Sequence, residues 1–261
     1  MHPVLFDIGR FTIYTYGACI ALGAVLGFAY MTWQGKKQYG FTFDQANTLF
    51  ILLVTASVVG GKFFLIFENP GLYLKQPGKL VSGSGFVFYG SLLFAIPTML
   101  WFFRKHGLPW RGMLDIMAVV TCIVHACGRV GCFMAGCCYG KPTAHAFGVV
   151  FTDAACQARP LHEPLHPTQL YEAGVIVAIL IFLWIWRARK SFDGQLFLIY
   201  LLCYAAARGV LEIFRGDVQR GFVIRDILSN SQFISLVVMT AALITYAKWK
   251  RSGTLGSSKK R

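Results

Sequence analysis

Seven apolar runs dominate this sequence and constrain its fold more than any other feature. They cover residues 13–33, 46–67, 85–103, 113–133, 168–187, 194–214 and 231–248. Each is about 18 to 22 residues long, enough for a helix to cross the hydrocarbon of a bilayer. Within lipid a segment must satisfy its own backbone hydrogen bonds, and a helix does so. Composition agrees: 56% of the 261 residues are hydrophobic and 14% charged, against about 25% charged in ordinary soluble domains. The expected fold is an all-α polytopic membrane protein with seven transmembrane helices. It forms one membrane domain over 1–250, with a basic tail at 251–261. The first run follows MHPVLFDIGRF, which is not a basic leader, and no small-x-small site closes it. It reads as a retained helix.

Basic residues mark the sides of the membrane. Lys36, Lys37, Arg104, Lys105, Arg111, Arg187, Arg189, Lys190 and the tail fall on one side of a seven-span chain. The positive-inside rule makes that side cytoplasmic, with the N-terminus outside and the C-terminus inside. The net charge of +14 is then topology and attraction to anionic lipid. A nucleic-acid partner would need a soluble basic domain, which the sequence lacks. Basic residues left over at the outer ends of spans are Lys62, Arg129, Arg208, Arg215, Arg220 and Arg225. Ionisable groups at membrane depth are costly and mark candidate functional positions.

Span six ends CYAAARGVLEIFRGD. Helical spacing puts Tyr204, Arg208, Glu212 and Arg215 on one face. Four polar groups in one stripe imply an internal cavity, although a structural Arg208–Glu212 pair explains two of them. Span four ends IVHACGRVGCF. His125 and Arg129 are again one turn apart, and Gly128 and Gly131 predict close approach of another backbone or a head group. His125 reads as a hydrogen-bonded packing residue. In HPTQLYEAG, 166–174, His166 and Pro167 form a turn and Glu172 suits the positive end of the following helix. Tyr16 and Tyr89 lie at interfacial positions, where tyrosines form aromatic belts.

Two motifs invite a metal. HEPLH at 162–166 matches the zinc-protease pattern, which needs both imidazoles on one helical face. Pro160, Pro164 and Pro167 forbid a regular helix there. The segment GRVGCFMAGCCYG, 128–140, holds Cys132, Cys137 and Cys138, with Cys156 further on. CxxxxCC lacks the C-x2-C spacing of zinc knuckles, and adjacent cysteines point apart unless the backbone is distorted. A disulfide from Cys156 to one of the other three is the stronger expectation, and no metal is expected.

Arg, Lys, Tyr, His and Glu thus gather at the outer ends of several spans, a set suited to a phospholipid head group because guanidinium forks match phosphate. A transporter or channel for an anionic substrate is the alternative, but no inverted repeat is visible. The ordered pieces YTYG (14–17), GGK (60–62), YGSL (89–92), GRVGCFMAGCCYG, HPTQLYEA (166–173) and the Tyr204–Arg215 stripe resemble the bacterial prolipoprotein diacylglyceryl transferases over nearly the whole chain. The resemblance implies an inner-membrane enzyme that needs no cofactor. It would move the diacylglyceryl group of phosphatidylglycerol to the lipobox cysteine of a preprolipoprotein signal peptide, with release of glycerol phosphate. It implies Arg129, Arg208, Glu212, Tyr204 and Tyr89 as catalytic residues. Arg129, Tyr16, Gly17, Lys62, Gly90, Gly140, His166 and Arg215 are implied for substrate binding. Three departures stand out: Tyr89-Gly90-Ser91 where better-known members have His-Gly-Gly, Lys62 for an Arg, and Cys132 and Cys137 where Asn and Glu are frequent.

Overall fold

A computed structural model describes residues 1–9, 11–73, 75, 76, 78–81, 87–216, 221–224 and 228–258. Arg220, Arg225 and the tail residues Lys259, Lys260 and Arg261 lie outside the described residues. The order is β1 (Val4–Ile8), β2 (Phe11–Tyr14), α1 (Thr15–Tyr39), α2 (Phe43–Glu68), the single turns α3 (Pro70–Tyr73) and α4 (Gly78–Val81), α5 (Phe88–Lys105) and α6 (Trp110–Ala135). Then come β3 (Val149–Val150), β4 (Pro164–Leu165), α7 (Thr168–Trp186), α8 (Gln195–Leu211), β5 (Phe222–Ile224), β6 (Leu228–Ser229) and α9 (Asn230–Ser258). The three strand pairs are antiparallel and two-stranded.

The seven apolar runs coincide with α1, α2, α5, α6, α7, α8 and α9. Among the described residues, six of these are long and apolar enough to cross a membrane. The helix outside that six is α5, whose last turn carries Arg104 and Lys105.

The chain divides into two compact units, Tyr30–Met113 and Met1–Ala29 with Leu114–Arg261. In the first, α2 begins with a capping box: Thr42 Oγ1 accepts from Gln45 N, and Gln45 Oε1 accepts from Thr42 N. Its Gly60 meets Gly90 of α5 so closely that neither position has room for a Cβ. Ser91 Oγ donates to the Ser57 carbonyl at 2.8 Å beside that crossing, an interhelical bond of the kind small residues permit in membrane helices.

In the second unit α1 closes on α6. A Cβ at Gly131 would lie 3.1 Å from Cys19 Cβ and 3.2 Å from Tyr16 Cα, and one at Gly128 would lie 3.1 Å from Ile20 Cδ1. Of the two uses expected for these glycines, the structure shows approach of a neighbouring helix. At the other end of α6, buried Asp115 accepts from Lys190 Nζ (3.2 Å), Gly194 N (3.0 Å) and Phe197 N (3.1 Å). A carboxylate thus caps the start of α8 and satisfies amides that the helix leaves orphaned.

Candidate active site

The site is built where three backbone segments cross at Gly140. Gly140 N donates to His166 O at 2.9 Å, Lys141 N to Phe214 O at 2.9 Å, and Gly216 N to Tyr139 O at 3.2 Å. These bonds tie the loop after α6 to the turn before α7 and to the segment after α8. A Cβ at Gly140 would lie 2.5 Å from His166 Cβ and 2.7 Å from Phe214 O, so only glycine fits. The crossing brings the ends of α6, α7 and α8 together.

Glu172, in the second turn of α7, is the centre of the resulting cluster. Its side chain is 2% exposed. Oε1 lies 2.9 Å from Arg129 Nη2 and 3.5 Å from His125 Nε2, and accepts the Tyr204 hydroxyl at 2.8 Å. Oε2 lies 3.8 Å from Arg215 Nη1. Arg129 Nε also donates to His125 Nε2 at 3.3 Å. The Tyr204 ring stacks on Tyr200 at 5.9 Å and meets His125 edge-on at 5.1 Å, which fixes where its hydroxyl points.

Arg208 and Glu212 form a separate pair. Arg208 Nη1 lies 2.6 Å from Glu212 Oε2, and Nη2 donates to Ser231 Oγ of α9 at 3.1 Å. The expected single stripe is therefore divided. The α-helix ends at Leu211, Glu212–Phe214 tighten into a 3-10 turn, and Arg215 is extended at φ −75°, ψ 139°. Leaving the α-helix takes Arg215 off the face counted at 3.6 residues per turn and delivers it to Glu172.

The remaining expected residues are spread more widely. His166 Nδ1 lies 3.2 Å from Tyr171 Oη, and its ring packs on Phe214 at 5.5 Å. Tyr16 lies over Gly131, with Cδ2 3.1 Å from where a Cβ would be, and Gly17 faces open space. Lys62, Tyr89 and Gly90 belong to the other unit. Tyr89 is exposed beside Phe88, and Gly90 is buried against Gly60.

The four outer cysteines are placed differently from expectation. All eight cysteines are free thiols. Cys156 is buried with Phe151, Ala158 and Leu165, whereas Cys132, Cys137 and Cys138 converge near Arg129 and Arg215. Hydrogen bonds from Cys132 and Cys137, with the charges of Arg215 and Arg129, hold the Cys138 thiol below the usual thiol range. Hydrogen bonding with Cys132 and Cys138 pushes the Cys137 thiol up. Residues 162 and 163 lie in a bend, with His162 at φ +64°, and Pro164–Leu165 form β4 before His166, so the two histidines of HEPLH do not share a helical face.

Sequence reasoning missed the part Glu172 plays and had no signal for Ser231; His125, read as a hydrogen-bonded packing residue, bonds Arg129 and packs on the Tyr204 ring. Among the described residues, Arg129 and Arg215 reach Glu172 and Arg208 reaches Glu212, and these side chains are largely shielded from solvent. Such an arrangement favours an anion and stabilises negative charge that develops on a leaving group.

Residues 3–248 match the family model described as prolipoprotein diacylglyceryl transferase. The chain is 34% identical to the phosphatidylglycerol–prolipoprotein diacylglyceryl transferase of Clostridium tetani, over 94% of this chain and 97% of that protein. It is 30% identical to the Dehalococcoides mccartyi protein of the same name, over 92% and 91% of the two chains. It is also 29% identical to phosphatidylglycerol–prolipoprotein diacylglyceryl transferase 2 of Clostridium perfringens, over 94% of each.

Proposed function

This chain belongs to the prolipoprotein diacylglyceryl transferase family, and from that premise we propose how its residues carry out the reaction. The activity is phosphatidylglycerol-dependent diacylglyceryl transfer to prolipoproteins, a step of lipoprotein maturation. The finer reading is that the acceptor is the lipobox cysteine of the preprolipoprotein signal peptide. Its sulfur attacks the glycerol carbon that bears the phosphate ester. The C–S bond forms as the C–O bond breaks, and glycerol phosphate leaves with the bonding electrons.

The observation that carries this reading is the pair of guanidinium groups, Arg129 and Arg215, directed at one buried carboxylate, Glu172. Arg129 takes the phosphate and stabilises its charge as the bond breaks, with Arg215 beside it. Glu172 holds both in place. Arg208, set by Glu212 and Ser231, completes the anion-binding face. An ordinary thiol has a pKa near 8.5 and must lose its proton to attack. Tyr204 directs its own proton to Glu172, so its oxygen can take the thiol proton as its own passes to Glu172, and the proton leaves on the departing glycerol phosphate, which restores the carboxylate. Tyr16, Gly17, Gly140 and His166 line the approach of the head group, while Lys62 of the second span and Tyr89 and Gly90 of the third are substrate-site candidates by resemblance to the family alone.

The working topology is one domain of seven spans, in which α5 joins the other six as the third in order. The N-terminus lies outside and the C-terminus inside the bacterial cytoplasmic membrane, with the site toward the outer leaflet. Incubating the purified protein with phosphatidylglycerol and a lipobox peptide tests the reaction. A peptide that gains the mass of one diacylglyceryl group on its cysteine supports it, and an unmodified peptide in the presence of folded protein contradicts it.

A further inference from the structure

Cys132, in the last turn of α6, and Cys137 and Cys138, just after that helix, take no part in the chemistry above. Their sequence spacing argues against a ligand set, because neighbouring side chains diverge on a regular backbone. The backbone here is not regular. Gly136 at φ +72° and Cys138 at φ +61° place left-handed residues on both sides of Cys137. A non-glycine residue in that region is uncommon and persists where its surroundings impose it. The surroundings are two buried side chains of α7: Gln169 Nε2 donates to Cys137 O and Thr168 Oγ1 donates to Cys138 O, each at 2.7 Å. As a result the three Sγ atoms lie within 4.8 Å of one another.

That spacing suits a shared cation. With zinc–sulfur bonds of about 2.3 Å, the sulfurs of a trithiolate site sit about 3.8 to 4.0 Å apart, within reach of the arrangement observed. Cys132 is buried while Cys137 and Cys138 are half-buried, so an ion can reach the sulfurs from one side. Soft thiolate sets select thiophilic metals over magnesium or calcium. Three thiolates around a divalent ion carry one net negative charge, and Arg215 and Arg129 lie close enough to act on Cys138 and offset it.

We infer that Cys132, Cys137 and Cys138 form a trithiolate site for one thiophilic divalent cation of the zinc class. The fourth coordination position is open, as it is where zinc has three protein ligands. Loading replaces the S–H bonds that remain by metal–sulfur bonds and releases their protons. The inference does not depend on the transfer reaction, and its test reads metal rather than turnover.

The full chain is purified in detergent with a phosphine reductant, stripped with a chelator and titrated with zinc. Metal content is measured after gel filtration, and each cysteine is mapped by maleimide labelling and mass spectrometry. The expected result is one zinc per chain, with zinc protecting Cys132, Cys137 and Cys138 from label and no other cysteine. Cys132→Ser should lose stoichiometric binding and Cys156→Ser should keep it. The protection experiment uses the wild-type chain and so does not depend on a variant folding. Folded wild-type protein that retains no zinc overturns the inference, as does equal retention by a chain lacking all three thiols. So does a disulfide between two of the three in protein that binds no zinc once reduced.

Discussion

Arg129 Nη2 and Glu172 Oε1 stand 2.9 Å apart, and this contact joins α6 to α7 at a buried carboxylate. Arg215 and the Tyr204 hydroxyl reach the same carboxylate. Glu172 therefore meets groups from α6, from α8 and from the extended segment after it at once.

Glu172→Gln keeps the shape and removes the charge. Two guanidinium groups then lose their common counter-charge in a site that water barely enters. Breaking a buried pair from one side costs about 3 to 5 kcal/mol. The variant is expected to unfold at lower temperature in detergent and to lose most transfer activity, while Glu172→Asp recovers part of both. Wild-type melting and turnover for Glu172→Gln would show that the carboxylate does not organise the site.

Tyr204→Phe removes one hydroxyl and leaves the stacked ring on Tyr200. If the hydroxyl only braced Glu172, the loss would be about 1.5 to 3 kcal/mol of stability with little further effect on rate. As a proton relay it is expected to lower turnover by about 10²-fold or more, with phosphatidylglycerol binding close to wild type. Separate measurement of lipid affinity and of peptide modification distinguishes the two.

Gly140→Ala and Gly17→Ala form a contrasting pair. A methyl group at 140 lands on the backbone of two other segments, and overpacking of this kind costs about 1 to 3 kcal/mol. The variant is expected to melt early and to lose activity through displaced His166 and Arg215. At Gly17 nothing lies within 4 Å of the new Cβ. That variant should melt at or slightly above the wild-type temperature, because alanine favours helix by about 1 kcal/mol, so any fall in rate reports contact with substrate. An unchanged rate would remove Gly17 from the binding residues.

The helices were legible because an apolar run of bilayer length leaves the backbone little choice. Each of the seven runs coincides with a helix, and α1 continues past residue 33 to Tyr39 because Gln34 and the lysines that follow cost a helix little. The cluster was less legible for two physical reasons. Glu172 had a sufficient local explanation at a helix start, so its tertiary partners left no trace in the sequence. Counting a helical face through Arg215 failed because the α-helix had already ended at Leu211. The cysteines went the same way: spacing assumed a regular backbone, and two left-handed residues made the thiols converge.

The central claim is that Arg129, held by Glu172, stabilises the departing phosphate. Glycerol phosphate release from phosphatidylglycerol, in the presence of a lipobox peptide, measures that step for the wild type and for Arg129→Ala. The account expects release that requires the peptide, and a fall of about 10²-fold or more in the variant at saturating lipid. Release by folded Arg129→Ala at the wild-type rate would contradict it.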